Sequence, residues 1–276
     1  GALDCDFSAP GTAAFGALQA ALTAVTAGAD TNIQWYWWDF GDSHGTNGAS
    51  LAVVTNVYSA ASNYTVSLTV SNLSGSVTNR VRTEYIRVYP YTNYVAAGAA
   101  PVRPYATWAT AATNIQDAID AAGVVGMTGT VVIVTNGSYA ITNRITIGKS
   151  ITVLGLGGPS NTIVFRSGPG ESGVFAVSHG GARLQGFMAT NGYLNASGQS
   201  GAGLYIAAGI VSNCIIRLNT ASSAASQSGG GVRMFGGLLT HSVIEDNLAN
   251  GTHCVGGGVN LAAGAILRNC IVRNNQ

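Results

Sequence analysis

Charge is what this chain has least of: charged residues make up 8% of its 276 positions, and Lys149 is the one lysine among 12 basic residues. An ordinary globular domain carries about 25% charge, so this surface must be finished with Ser, Thr, Asn, Gly and backbone. A mainly helical protein is disfavoured, because exposed helix faces need Glu, Lys and Arg. The formal net charge of +1 leaves no footprint for nucleic acid or an anionic membrane surface. No apolar run approaches the roughly 18 residues that a membrane-spanning helix needs. The four cysteines (Cys5, Cys214, Cys254, Cys270) form no CxxC pair, which removes a zinc or redox motif. The histidines His44, His179, His241 and His253 share no metal-ligand spacing.

What is abundant is glycine, with 38 residues, inside a composition that is 47% apolar. That combination suits stacked β-structure with many tight turns. Two unlike parts follow. Up to about residue 90 the period is two: Tyr64, Val66, Leu68 and Val70 alternate with Thr65, Ser67 and Thr69, as a half-buried strand requires. Asn72 to Gly75 supplies a turn before another alternating segment, Val81 to Val88. Several such strands predict a β-sandwich.

The segment Trp38-Asp39-Phe40-Gly41-Asp42, then Val57-Tyr58, then Asn63 to Asn72, resembles a PKD domain, an immunoglobulin-like extracellular module. The likeness covers the first third of the chain and departs from the family pattern at Ser43 and Val57. It implies a spacer or binding module. In the strand Ile33 to Phe40, inward Trp38 and Phe40 place Tyr36 inward and turn Trp35 and Trp37 outward. Two outward indoles need a partner: a neighbouring domain or second molecule to pack on, or a sugar or protein ligand to stack on. Asp39 and Asp42 are candidates for a calcium ion, or else for satisfying the N–H groups of their own turn.

Tyr89 to Asn93 is a short, stiff linker, giving expected domains 1–90 and 91–276. Trp108 to Ala122 then reads as the one helix, with Ile115, Ala118, Ile119 and Ala122 on one face, Asp117 and Asp120 on the other, Thr113 as N-cap and Gly123 as stop. Short Val/Ile runs come next, at Val131–Val134, Ile145–Ile147, Ile151–Leu154 and Thr162–Phe165. Self-similarity decides the architecture. Gly201-Ala-Gly-Leu204, Val211 to Ile216 and Asn219 recur as Gly229-Gly-Gly-Val232, Leu239 to Ile244 and Asn247, and again as Gly256-Gly-Gly-Val259, Leu267 to Val272 and Asn275. Asn219, Asn247 and Asn275 are 28 residues apart, as are Cys214, Ser242 and Cys270. Three short strands and three turns consume about that many residues in one coil of a parallel β-helix.

These repeats, with Tyr105 to Asp120 and Val132 to Tyr139, resemble a right-handed parallel β-helix of the pectate-lyase-like superfold, closest in pattern to large bacterial surface proteins. In that fold a short helix covers the first coil, the place that Trp108 to Ala122 would take. The expected fold class is therefore all-β: an immunoglobulin-like sandwich, then a right-handed parallel β-helix with an N-terminal capping helix. The last repeat runs to the end of the chain, so the β-helix is expected to continue past Gln276 or to be covered by another chain.

The superfold hosts polysaccharide-cleaving enzymes, so catalysis is weighed on residues. After residue 95 the acids are Asp117, Asp120, Glu171, Glu245 and Asp246, with no third carboxylate on an adjacent coil beside the last two. A calcium-dependent lyase or a two-carboxylate glycosidase needs more. No catalytic residue is assigned. Arg217, Glu245 and Arg273 form an expected outer charge ladder, and Tyr205, Arg233 and Asn260 a second outer row. Asn219, Asn247 and Asn275 are expected to form an internal amide ladder. Cys214 and Cys270, two coils or about 10 Å apart, are expected to stack as small buried groups beyond disulfide reach. The reading is a non-catalytic, secreted or surface-displayed bacterial protein for adhesion or polysaccharide binding, with Trp35, Trp37, Tyr205 and Arg233 as ligand-binding candidates. No cofactor is expected beyond that candidate calcium. The rivals are a lyase or hydrolase with its active coils outside this segment, and a filament subunit that self-associates through its open end.

Overall fold

The strand Ser62–Asn72 buries Tyr64, Val66, Leu68 and Val70 and exposes Thr65, as its alternation requires. It lies in a five-stranded sheet with Ala13–Phe15, Val77–Tyr89, Ile33–Asp39 and Gly45–Gly48. A three-stranded sheet of Asp4–Ser8, Leu18–Ala27 and Val53–Tyr58 completes the sandwich. Phe7, Leu22, Trp38, Phe40, Tyr58 and Ile86 fill the space between them. The computed structural model describes residues 2–28, 30–123, 129–196, 200–222, 227–251 and 254–276. It falls into two units, Gly1–Tyr91 and Thr92–Gln276. His253 lies outside the described residues.

The sandwich edge is held by a charge-assisted latch. Arg82 donates from Nε and Nη2 to the two carboxylate oxygens of Asp6, at 3.0 and 2.7 Å, while its guanidinium lies over the rings of Phe7 and Tyr85. The Arg82 hydrogen bonds, aided by the Phe7 N–H and the charges of Arg82 and Arg80, hold the Asp6 carboxyl down at about 2, against an ordinary 3.8. A depressed carboxylate pKa gives stability that is complete above the unfolded value and is lost as pH falls through the folded one. The sandwich should therefore weaken from about pH 4 towards pH 2. Because the pair is partly solvated, the contribution is held to under about 1 kcal/mol. Acid titrations of wild type and Asp6→Asn, followed by tryptophan fluorescence, should show a flatter curve for the variant; parallel curves would remove the latch from the account.

The second unit is a stack of parallel strands, and the chain as a whole is nearly all-β, with 3% helix. One seven-stranded sheet starts with Thr92–Val95 and runs through Thr130–Val134, Ile151–Gly155, Arg183–Gln185, Ile210–Ser212 and Leu238–Thr240 to Ile266–Arg268. Register pairs Val132 with Val153, then Leu184, Val211, Leu239 and Leu267, an aliphatic column down the interior. Six- and five-stranded parallel sheets form the other faces. A further short sheet, Tyr193–Leu194, Thr220–Ser222 and Leu248–Asn250, adds a strand to the expected three per coil. It arises because left-handed residues at Leu218 (φ 55°) and Asp246 (φ 55°) bend the chain sharply while leaving it extended on both sides.

The helix is shorter than its sequence pattern suggests. It spans Ile115–Ala121, and its N-cap is Asn114, not Thr113: Asn114 is extended (φ −122°, ψ 133°) and its side chain accepts from the Gln116 N–H. Upstream, Thr107 and Thr110 bond hydroxyl to hydroxyl at 2.8 Å and share backbone contacts, and such local bonds compete with helix. The apolar face is as read, with Ile115, Ala118, Ile119 and Ala122 buried against the first strands of the stack.

Asn and Gly of each repeat are two halves of one device. The Asn247 amide oxygen accepts from the Asn219 N–H and Nδ2, and its own Nδ2 donates to Asn275 Oδ1 and Ile216 O, at 2.9 to 3.0 Å. A Cβ added at Gly231 would stand 2.8 Å from Asn247 Nδ2, and one at Gly258 the same distance from Asn275 Nδ2. The last glycine of each triplet thus makes room for the amide ladder. Between them, Ser242 Oγ accepts from the Cys214 N–H at 3.1 Å, so the column of small groups at Cys214 and Cys270 is polar at its centre. Cys5, Cys214 and Cys270 are free thiols.

Leu218 is the misfit among the left-handed turn residues, since the next coils carry Asp246 and Asn274 there. It is 52% exposed, so little packing depends on it. Leu218→Asn should stabilise the unit by about 0.5–1 kcal/mol by relieving the left-handed strain. The check is the denaturation midpoint; a fall would show that Leu218 packs more than it strains.

Candidate functional site

In the first unit, strand alternation sends Trp35 and Trp37 outward, 37% and 42% exposed, while Tyr36 and Trp38 are buried. The indoles stand 6.2 Å apart between ring centroids and their planes are tilted by 47°. Cross-strand neighbours on this face are Ser71, Thr69 and Asn47. Asn79, opposite Thr69, donates from Nδ2 to the Thr69 hydroxyl at 2.7 Å. The face therefore offers two tilted aromatic surfaces whose cross-strand neighbours are neutral hydroxyl and amide groups, with Val77 beyond Ser71 and Asp39 two residues along the strand. That pairing fits ring stacking with polar orientation.

Asp39 and Asp42 both serve their own turn. Asp39 Oδ1 accepts from the Gly41 N–H at 2.8 Å, and Asp42 Oδ1 from the His44 N–H at 3.0 Å, while Asp42 Oδ2 accepts from Asn56 Nδ2 at 2.8 Å. Among the described residues, no group of three or more His, Cys, Asp or Glu side chains is placed to hold a metal ion.

In the second unit, Tyr205, Arg233 and Asn260 pair in register along one outer face. Tyr205 lines a cavity of about 530 Å³, together with Arg144, Glu171, Leu194 and Phe235. Arg233 does not line it; its guanidinium sits 4.2 Å over the ring of Phe235, which does. The other outer row is an ion-pair ladder: Glu245 takes Arg273 at 2.6 Å and Arg217 at 3.7 Å, and Arg217 also reaches Asp246 at 3.4 Å. Each remaining acid of the second unit either lies on the capping helix or has backbone partners. Glu171 Oε2 accepts from the N–H groups of Asn195 and Ala196, at 2.9 and 2.7 Å.

The structure thus gives two candidate surfaces, one on each unit. Trp35 and Trp37 adjoin each other, and Tyr205 meets Arg233 through Phe235. Arg144 and Phe235 were missed by sequence reasoning. Phe235 follows the outer row by two positions and was within reach of a period-two argument; Arg144 carries no local signal, because its partners lie 56 and 57 residues away.

A family model for the PKD domain matches residues 10–88. No curated protein matches the chain. The matched stretch falls within the sandwich unit, and a parallel β-solenoid of about four turns follows over residues 137–273.

Proposed function

We propose that this chain is a non-catalytic, extracellular adhesion protein that binds polysaccharide, with Trp35 and Trp37 as its stacking surface. A PKD domain joined to a β-solenoid fits an extracellular modular role, and no described helix is long and apolar enough to cross a membrane. The observation that carries the reading is the outward indole pair on a sheet face, with cross-strand neighbours that are neutral and hydrogen-bonding. The 47° tilt favours a single twisted glycan chain over a flat crystalline surface, because two tilted planes cannot lie flush on one plane. Support for a non-catalytic role comes from Glu171, which accepts from two backbone N–H groups, and from Glu245 and Asp246, which pair with arginines. A calcium ion at Asp39 and Asp42 would have to take oxygens that now cap the turn.

Affinity gels of neutral and acidic polysaccharides test this directly. Wild type should be retarded on at least one polymer, and Trp35→Ala/Trp37→Ala should lose that by about tenfold or more, with the melting temperature nearly unchanged. Absence of retardation on every polymer, or a large loss of stability in the variant, would overturn the reading.

A further inference from the structure

The cavity beside Tyr205 has a construction that packing alone does not require. Arg144 leaves the turn before the strand Ile145–Ile147 and crosses the next coil to donate from Nη2 to the carbonyls of Ser200 and Gly201, at 3.1 and 3.0 Å. It passes over Gly173, where an added Cβ would lie 2.0 to 2.4 Å from the guanidinium atoms. A glycine is therefore needed for the arginine to lie there. The charged carbon stands 6.0 Å from the centre of the Tyr205 ring.

Both protons of Nη2 are used by the two carbonyls. Nε and Nη1 have no hydrogen-bond partner among the described residues, and no carboxylate among them forms a salt bridge with Arg144. Glu171, the one acid on the cavity wall, already takes two backbone N–H groups on Oε2. Burial pushes the Arg144 pKa down from its ordinary value, as expected for a cation drawn from water without a counter-ion. An arginine remains charged in any protein, so a desolvated guanidinium with free N–H groups is a standing anion site. The remaining walls are Ser172, Gly173, Leu194, Ser200 and the rings of Tyr205 and Phe235, whose centroids are 5.8 Å apart.

We propose that this cavity binds a carboxylate carried on a ring with a flat apolar face, the carboxylate meeting Nη1 of Arg144 and the ring packing against Tyr205 and Phe235. Two sources share that chemistry: a free aromatic acid and an acidic sugar residue. The site belongs to the solenoid and does not depend on the indole pair of the other unit.

The test is calorimetric or NMR titration of the full chain with benzoate and with glucuronate, each against its neutral counterpart, benzamide and methyl glucoside. Wild type should bind one of the two acids at least about tenfold more tightly than its neutral counterpart. Benzoate alone, or glucuronate alone, identifies the source. Arg144→Gln should abolish the preference. Because that variant also loosens residues 200 and 201, Phe235→Ala serves as a second one: its ring is 48% exposed, so folding should survive while affinity falls several-fold. Trp35→Ala/Trp37→Ala should leave acid binding unchanged, which separates this site from the polysaccharide reading. No binding of either acid up to about 10 mM, equal binding of acid and neutral forms, or full affinity in a folded Arg144→Gln protein would overturn the proposal.

Discussion

Asn247→Ala should cost the solenoid about 3 kcal/mol or more, the largest single-residue effect expected in this chain outside the aliphatic core. Asn247 is fully buried. Its removal strands the Asn219 N–H, takes one of three acceptors from the Asn219 amide nitrogen, and takes one donor each from the Ile216 carbonyl and Asn275 Oδ1. Each orphaned buried group costs about 1–3 kcal/mol, reduced where the coil relaxes or water enters. Asn275→Ala should cost less, since its residue is only partly buried and water can replace part of what it gives to Asn247. Asn247→Asp should be no better than Ala, because a carboxylate oxygen would then face Asn275 Oδ1 and the Ile216 carbonyl. Equal losses for Asn247→Ala and Asn275→Ala in denaturant titrations would show that the ladder is not cooperative.

This ladder also marks how far the sequence can be read. The recurrence of Asn219, Asn247 and Asn275 at a fixed spacing makes a stacked column of amides legible without coordinates, since a residue that returns once per coil returns above itself. The same argument places Tyr205, Arg233 and Asn260 in a row, and period-two alternation separates Trp35 and Trp37 from Tyr36 and Trp38. What periodicity cannot supply is a contact made once. Arg144 reaches two coils along the stack, and Gly173 accommodates it from yet another segment. Neither recurs, so neither leaves a pattern. The helix start failed for a related reason: Asn114 and Thr113 are both good caps by type, and the choice was made by Thr107 and Thr110, whose turn holds the preceding chain out of helix.

Lys149→Met should destabilise the solenoid by about 2 kcal/mol and act first on its capping helix. In a chain with one lysine, that lysine is spent on four carbonyls: Nζ lies 3.0 Å from Ile119 O and Asp120 O, 3.3 Å from Ala122 O and 3.1 Å from Gly123 O. These are the acceptors left open where the helix Ile115–Ala121 ends, and the ammonium also meets the negative end of the helix dipole. A helix of two turns has little stability of its own. Its place over the first coil depends on the buried face of Ile115, Ala118, Ile119 and Ala122 and on this tether. Burial lowers the Lys149 pKa, and Asp120 partly restores it, so the amine is held at a desolvation cost that its carbonyl partners must offset. Methionine keeps the stem and removes every donor, which isolates the polar contribution from packing. Hydrogen exchange should show the amides of Ala118 to Ala122 losing protection ahead of the strand Ile151–Gly155, while fluorescence of the sandwich tryptophans stays unchanged. Lys149→Arg should recover part of the loss. If Lys149→Met leaves both the midpoint and helix protection unchanged, the helix is held by its apolar face alone.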